Sequence, residues 1–110
     1  MLDKYERIGR LFDYYSNILK DKHKDVLDLY YFQDLSLAEI SEIFDMSRQG
    51  VHDLLKRAEG NLENYEKKLG LIQRNDGIRE KLELLKKNIN GNDFDLKNIN
   101  GIIDGLIDSL

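Results

Sequence analysis

The chain of 110 residues contains no cysteine and no proline. Without cysteine it can form no disulfide, thiolate metal site or catalytic thiol, which fits a reducing compartment. It also lacks any apolar run near the roughly 20 residues of a membrane-spanning helix. Its charged N-terminal segment lacks the apolar core of a secretory signal. We therefore expect a cytoplasmic protein without a membrane span.

Catalytic patterns are missing as well. The two histidines, His23 and His52, lie 29 residues apart and have no neighbours at the spacing of metal ligands. There is no glycine-rich phosphate loop and no nucleophile motif. The acidic side chains lie three or four residues from basic ones on helical faces, where solvated ion pairs are their ordinary role. The sequence predicts no enzyme, no metal and no cofactor.

Signals for β-structure are absent too, because no apolar run alternates with polar residues. Apolar residues instead recur at three- and four-residue steps along most of the chain. This pattern predicts an all-α fold with a helix-turn-helix nucleic-acid-binding domain over residues 1–74 and a helical extension over residues 75–110. The polar segment Arg74-Asn75-Asp76-Gly77 is predicted to be the turn between them.

The helix-turn-helix is predicted over residues 35–62. Ser36 with Glu39 three residues later forms the pattern of a capping box at the start of the first helix. Asp45 is the candidate for a left-handed residue in the turn, where aspartate is tolerated. Ser47 can cap the second helix. A short helix, a tight turn and a capped second helix are typical of proteins that place the second helix in the major groove of DNA.

Two packing helices are predicted before this motif. The stripe in residues 3–20 predicts the first, whose aromatic side could alternatively contact a second subunit. The other spans residues 22–33 and is predicted to be capped by Asp21. We assign Tyr30, Tyr31 and Phe32 to the core, the alternative being a platform on which bases stack.

The second helix of the motif continues for roughly 25 residues, about 38 Å at 1.5 Å per residue, with Gly70 as its candidate end. Only its first two turns can enter a groove. Arg48 can bond guanine and Gln49 adenine through two hydrogen bonds each, while Gly50 leaves room for close approach. The candidate nucleic-acid-binding residues are Ser36, Ser47, Arg48, Gln49, His52, Lys56 and Arg57.

The charge distribution qualifies this interpretation. The chain has a net charge of −4, whereas phosphate binding favours a basic face. Residues 21–46 carry two lysines against seven acidic residues, and residues 47–74 carry six basic against four acidic residues. The predicted reading helix thus lies in the basic part of an acidic protein. The alternative is a module that binds RNA or protein and has lost DNA binding.

The C-terminal extension has two apolar stripes, separated by a break at Asn90-Gly91-Asn92. These stripes can pack on their own chain or on a second copy, and we favour a homodimer. The candidate dimerisation residues are Leu82, Leu85, Ile89, Ile99, Ile103 and Leu106.

The motif resembles region four of bacterial sigma factors, which reads the −35 promoter element. The matching residues are Leu27, Leu29, Tyr31-Phe32, Ser36-Leu37, Glu39-Ile40 and Ser47-Arg48. Two positions differ from that pattern. Asp45 replaces the usual turn glycine, and His52-Asp53-Leu54 replaces the usual run of arginines.

Nearly the whole chain resembles the YlxM family of small bacterial helix-turn-helix proteins. The resemblance is carried by Tyr5-Glu6-Arg7, the segment from Leu11 to Tyr15, Tyr30-Tyr31, the segment from Asp34 to Ile40, and the segment from Ser47 to Asp53. Genes of this family commonly neighbour those of the signal recognition particle protein and its receptor. The resemblance implies a regulatory or accessory role in that pathway, with the particle's RNA or protein as possible partners.

Overall fold

The computed structural model describes residues 2–91 and 95–110, and within these ranges the chain is helical without a β-strand. This confirms the all-α prediction. The α-helices in the described residues are α1 (Leu2–Tyr15), α2 (Asp21–Leu27), α3 (Leu37–Phe44), α4 (Arg48–Leu69), α5 (Leu71–Asn90) and α6 (Leu96–Asp108). The chain divides into two compact units, one ending at Ile72 and the other beginning at Gln73.

Helix α4 is the centre of the N-terminal unit, because α1, α2 and α3 all pack against it. Its apolar stripe supplies a large part of the core and matches the predicted three- and four-residue spacing. The buried apolar side chains of this core are Ile8, Leu11, Tyr15, Leu19, Val26, Leu27, Tyr31, Ile40, Val51, Leu54, Leu55, Ala58, Leu62 and Ile72. Helix α4 is therefore held in place by three neighbouring helices.

The first helix is shorter than predicted, whereas the second helical run covers nearly the predicted residues 22–33. Helix α1 ends at Tyr15 and is followed by a 3-10 turn over Ser16–Ile18, so the stripe expected through residue 20 is interrupted and Ile18 is 52% exposed. The predicted cap at Asp21 is wrong, because Asp21 is already helical and Lys20 occupies the cap position without a side-chain hydrogen bond. Helix α2 then widens into a π-helical turn over Asp28–Phe32.

The predicted turn at Arg74-Asn75-Asp76-Gly77 is also wrong, since these four residues lie inside α5. The chain breaks earlier, at Gly70, whose φ of 63° is left-handed and favours glycine. Gly70 was the candidate end of the long helix, and that prediction is confirmed. A glycine inside a helix is unfavourable by only about 1 kcal/mol relative to alanine, so Gly77 does not stop α5.

Side chains from α1 and α4 fix the start of α5. The Tyr15 hydroxyl donates to Glu66 Oε1 at 2.6 Å and accepts the backbone N–H of Leu71 at 3.2 Å. The same carboxylate oxygen accepts the N–H of Ile72 at 3.0 Å. Two N–H groups that the first turn of a helix leaves without intrahelical partners are thus satisfied. Burial and the neighbouring Glu66 raise the pKa of Tyr15, which keeps its phenol protonated as a donor.

The C-terminal unit contains most of α5 and all of α6. Helix α5 ends at Asn90, at the predicted break, while Asn92 lies outside the described residues. Asp95 caps α6 by accepting the N–H of Lys97 at 3.0 Å. Large apolar side chains in this unit are exposed, including Leu82, Leu84 and Ile89 at about half each, whereas Ile99 is buried.

Candidate nucleic-acid interface

The first helix of the motif begins with the predicted capping box. Ser36 Oγ accepts the N–H of Glu39 at 3.1 Å, and Glu39 Oε1 accepts the N–H of Ser36 at 3.0 Å. These hydrogen bonds lower the pKa of Glu39 because they favour its charged form. The start of α3 is therefore set by local chemistry, as the sequence indicated.

The turn between α3 and α4 also has the predicted geometry. Asp45 lies in the left-handed region, with φ of 53° and ψ of 50°. The N–H of Met46 then bonds the carbonyl of Ser41 at 3.0 Å, closing the end of α3. Ser47 Oγ accepts the N–H of Gly50 at 3.0 Å and caps α4. These two caps set the angle at which α4 leaves the turn.

Packing within the turn favours glycine at position 50. A Cβ atom at this position would lie 3.1 Å from Ser47 Oγ and 3.3 Å from Met46 Cε. Both distances are tighter than ordinary packing, so a side chain would press on the cap and on the methionine that fills the turn. The glycine thus serves the turn itself, besides the room for a ligand that the sequence suggested.

The outer face of early α4 carries the predicted reading residues. Arg48, Gln49, Lys56 and Arg57 are exposed and His52 is partly exposed. The inward positions Val51, Leu54, Leu55 and Ala58 are buried. Ser36 and Ser47 are exposed as residues, and although each Oγ accepts a capping bond, each hydroxyl retains its hydrogen to donate. Six of the seven candidates therefore lie at the cap or in the first turns of α4, while Ser36 lies at the other end of α3 from the turn.

Asp53 lies in the middle of this face and holds its neighbours. Gln49 Nε2 donates to Asp53 Oδ1 at 2.9 Å, and His52 Nδ1 lies 3.5 Å from the same oxygen. Arg57 Nε donates to the backbone carbonyl of Asp53 at 3.5 Å. The carboxylate therefore orients a side chain that could read adenine, but it also places a negative charge where phosphate would approach.

Further along α4, polar side chains join it to α1 and α2. Arg7 donates to both carboxylate oxygens of Glu63 at 2.9 Å, which lowers the pKa of Glu63. His23 Nδ1 lies 3.0 Å from Asn61 Nδ2, and burial lowers the pKa of His23, which favours the neutral ring that can accept this bond. These pairs lie on the part of α4 that follows the reading turns.

The sequence interpretation missed one buried carboxylate on α4. Glu59 is 8% exposed, and its Oε1 accepts from the Tyr31 hydroxyl at 2.7 Å and from Lys4 Nζ at 2.9 Å. Burial and the hydrogen bond to Glu59 raise the pKa of Tyr31, and the same carboxylate raises the pKa of Lys4. The signal was available: Glu59 follows Leu55 by four residues and precedes Leu62 by three, which places it on the apolar stripe.

No helix in residues 2–91 or 95–110 is long and apolar enough to cross a membrane. Within the same ranges, the histidine, aspartate and glutamate side chains form no group of three or more that could hold a metal ion.

A capped helix, a left-handed turn and a second capped helix with a polar outer face define a helix-turn-helix protein. Residues 2–102 match the family model described as "Putative helix-turn-helix protein, YlxM / p13 like", and the chain belongs to this family, UPF0122. This confirms the family that the sequence motifs indicated.

Curated members of the family are similar over most of the chain. A UPF0122 protein of Thermoanaerobacter pseudethanolicus is 52% identical over 89 residues, which cover 81% of this chain and 76% of that protein. A UPF0122 protein of Oceanobacillus iheyensis is 46% identical over 87 residues, covering 79% of this chain and 80% of that protein. One from Bacillus cereus is 47% identical over 87 residues, covering 79% and 76%.

Proposed function

We propose that this protein is a non-enzymatic, cytoplasmic DNA-binding regulator that inserts the start of α4 into the major groove. The observation that carries this proposal is the exposure of Arg48 and Gln49 at the N-terminal end of the capped α4. Side chains at this end of a recognition helix meet base edges first. Lys56 and Arg57, about two turns later, would contact phosphate, and the serine hydroxyls at the two caps would add hydrogen bonds to the DNA backbone.

We further propose that the regulator acts in the signal recognition particle pathway. This step rests on the resemblance to the YlxM family, whose genes commonly neighbour those of the particle's protein and receptor. The promoter region of the protein's own operon is therefore the natural DNA probe.

Replacing Arg48 with alanine is expected to weaken binding to that duplex by about tenfold. A bidentate contact between arginine and guanine is worth about 1–3 kcal/mol, and each 1.4 kcal/mol is a factor of ten. Fluorescence anisotropy at a fixed salt concentration measures the dissociation constant. Lys67→Ala is the control, because it removes a positive charge from the same helix about 28 Å further along, at 1.5 Å per residue. Absent binding, or equal affinities for wild type and Arg48→Ala, would refute the DNA-reading role.

A homodimer would compensate for the small basic excess of the reading helix. Two weak contacts on one duplex gain affinity through effective concentration, and two recognition helices fit successive major grooves when they lie about 34 Å apart. The side chains of Leu82, Ile89 and Ile103 are 50%, 49% and 38% exposed and supply an apolar surface for the second copy. Leu85 and Leu106 are partly buried, and the buried Ile99 would support that surface from beneath.

Leu82→Glu is expected to halve the particle mass in solution, because a charge in an apolar interface is unfavourable unless it is paired. Light scattering coupled to size-exclusion chromatography measures this mass. Lys87→Glu, a change to an exposed charge on the opposite side of the same helix from Leu82, provides the comparison. A wild-type monomer, or a Leu82→Glu dimer, would exclude this interface.

Two observations favour a second function, that of an RNA- or protein-binding accessory module of the signal recognition particle. The 2.9 Å hydrogen bond from Gln49 to Asp53 occupies an adenine-reading amide within the protein, and residues 21–46 are strongly acidic. Pull-down from cell extract, with separate RNase and DNase treatments, distinguishes the two. Capture of particle components that survives DNase supports the accessory module, while capture of operon DNA that is lost with DNase supports the regulator.

A further inference from the structure

A pocket of about 230 Å³ opens beside the recognition helix, between α1, the π-helical turn, the start of α3 and α4. Its aromatic wall is formed by Tyr5, Tyr30 and Tyr31. Tyr31 makes edge-to-face contacts with each of the other two rings, both with centroids 5.1 Å apart. The π-helical turn supplies two of these tyrosines, and such turns are frequent at functional sites.

Glu59 lines this pocket with an incompletely satisfied carboxylate. Its side chain is 10% exposed, and Oε1 is bonded to Tyr31 and Lys4. Oε2 is buried and has no hydrogen-bond partner among the residues that the structure describes. The Lys56 ammonium lies over it at 3.9 Å, beyond hydrogen-bond distance, on a side chain that is 53% exposed. A buried carboxylate oxygen without a donor is unfavourable, so a ligand N–H that replaces Lys56 over Oε2 would satisfy it.

The surrounding charges decide what kind of ligand can donate. Lys4 and Lys56 both lie within 4 Å of the single Glu59 carboxylate, so an additional cation would be repelled. A neutral N–H donor on a ligand that is anionic elsewhere fits both the carboxylate and the two lysines. Tyrosine rings favour a planar ring system, since bases stack on aromatic side chains.

We propose that this pocket binds a mononucleotide with an exocyclic amino group. The amino group donates to Glu59 Oε2, as cytosine N4 donates to carboxylates in DNA recognition, and the base packs on the tyrosines. Lys56 turns outward to admit the base and, with Lys4, pairs with the phosphate. The volume is below the roughly 300–1,000 Å³ of pockets for drug-sized ligands, which suits one base rather than a dinucleotide.

Isothermal titration calorimetry of the full chain with CMP, AMP and UMP tests this proposal. Uracil carries a carbonyl where cytosine carries the amino group, so CMP and UMP form a matched pair. We expect CMP or AMP to bind at least about tenfold more tightly than UMP, since a hydrogen bond to a charged group is worth about 1.5–3 kcal/mol. Absence of binding by all three at millimolar concentration, or binding of UMP as tight as that of both CMP and AMP, would overturn the proposal. Absence of binding by all three nucleotides would mean that Lys56 itself moves onto Glu59 Oε2 and closes the pocket.

Variants locate the binding site. Glu59→Gln removes the charge and keeps the size, and we expect it to weaken nucleotide binding about tenfold. The control Glu63→Gln removes an exposed carboxylate from the same helix. We expect this control to leave nucleotide binding unchanged. If Glu59→Gln does not fold, Tyr5→Ala provides a second variant, because Tyr5 is 39% exposed and lies on the wall; loss of its stacking is also expected to weaken binding about tenfold. Unchanged affinity in a folded variant of either kind would refute the site. No nucleic acid is present in these titrations, so their failure would leave the DNA-binding proposal untouched.

Discussion

Asp53→Arg is expected to tighten binding to duplex DNA about thirtyfold. The substitution changes the charge at the centre of the reading face by two units, and it removes the acceptor that holds Gln49 at 2.9 Å. A charge pair at about 4 Å is worth about 1 kcal/mol in water and about 4 kcal/mol near a protein surface, so about 2 kcal/mol is a moderate expectation for the two-unit change. The freed Gln49 amide becomes available to a base edge as well.

Salt dependence separates this electrostatic gain from a change in base reading. Each added phosphate contact steepens the dependence of log affinity on log salt by about 0.9, so the Asp53→Arg variant should show a slope steeper by about that amount. Asp53→Asn, which removes the charge without adding one, should fall between the wild type and that variant. Glu83→Arg makes the same two-unit change on α5 and serves as the control. If Glu83→Arg raises the affinity for duplex DNA as much as Asp53→Arg does, the increase comes from net charge alone. The start of α4 would then not be the DNA-reading face.

The helix-turn-helix was predictable because its boundaries depend on neighbouring residues. Ser36 and Glu39 satisfy each other's backbone N–H groups within four residues, and Ser47 caps α4 in the same way. Asp45 tolerates a left-handed backbone in the turn. Each of these interactions is complete within a short segment, so the residue types alone identify them.

Boundaries that depend on distant contacts were not predictable in the same way. The polar run from Arg74 to Gly77 has the composition of a turn, yet it is helical in α5. The start of α5 is secured by Tyr15, 56 residues earlier, and by Glu66. Likewise, the π-helical turn at Asp28–Phe32 keeps Tyr31 buried while departing from the 3.6-residue period on which the prediction relied.

The buried Glu59 carboxylate shows that a charged residue type does not by itself place a side chain on the solvent-exposed face of a helix. Glu59 lies on the apolar stripe of α4, but its residue type placed it with the solvated ion pairs. Its partners, Lys4 and Tyr31, come from α1 and from the π-helical turn. Only the packing of these elements brings the three residues together. The pocket could therefore not be predicted from sequence patterns within single helices.

Leu62→Ala is expected to lower the free energy of unfolding by about 2–5 kcal/mol, the range for truncating a fully buried leucine. Leu62 is completely buried on α4, within the core shared by the first four helices. Native domains are stable by only about 5–15 kcal/mol in total, so this loss is a large fraction of the whole. For a domain of about 60–100 residues, each 1 kcal/mol corresponds to about 4–8 °C, and the melting temperature should fall by about 10 °C or more. Thermal denaturation followed by far-ultraviolet circular dichroism measures it.

Leu69→Ala is the matched control for this substitution. It removes the same atoms from the last residue of the same helix, where the side chain is 56% exposed, and surface changes of this kind stay within about 0.5 kcal/mol. A large loss at Leu62 with little change at Leu69 would show that α4 is held by its buried stripe. Equal losses at the two positions would instead mean that Leu69 is covered in solution, and light scattering on both variants would show whether a second copy covers it. The same helix presents Arg48 at its N-terminal end, so the buried stripe that includes Leu62 also supports the proposed reading face.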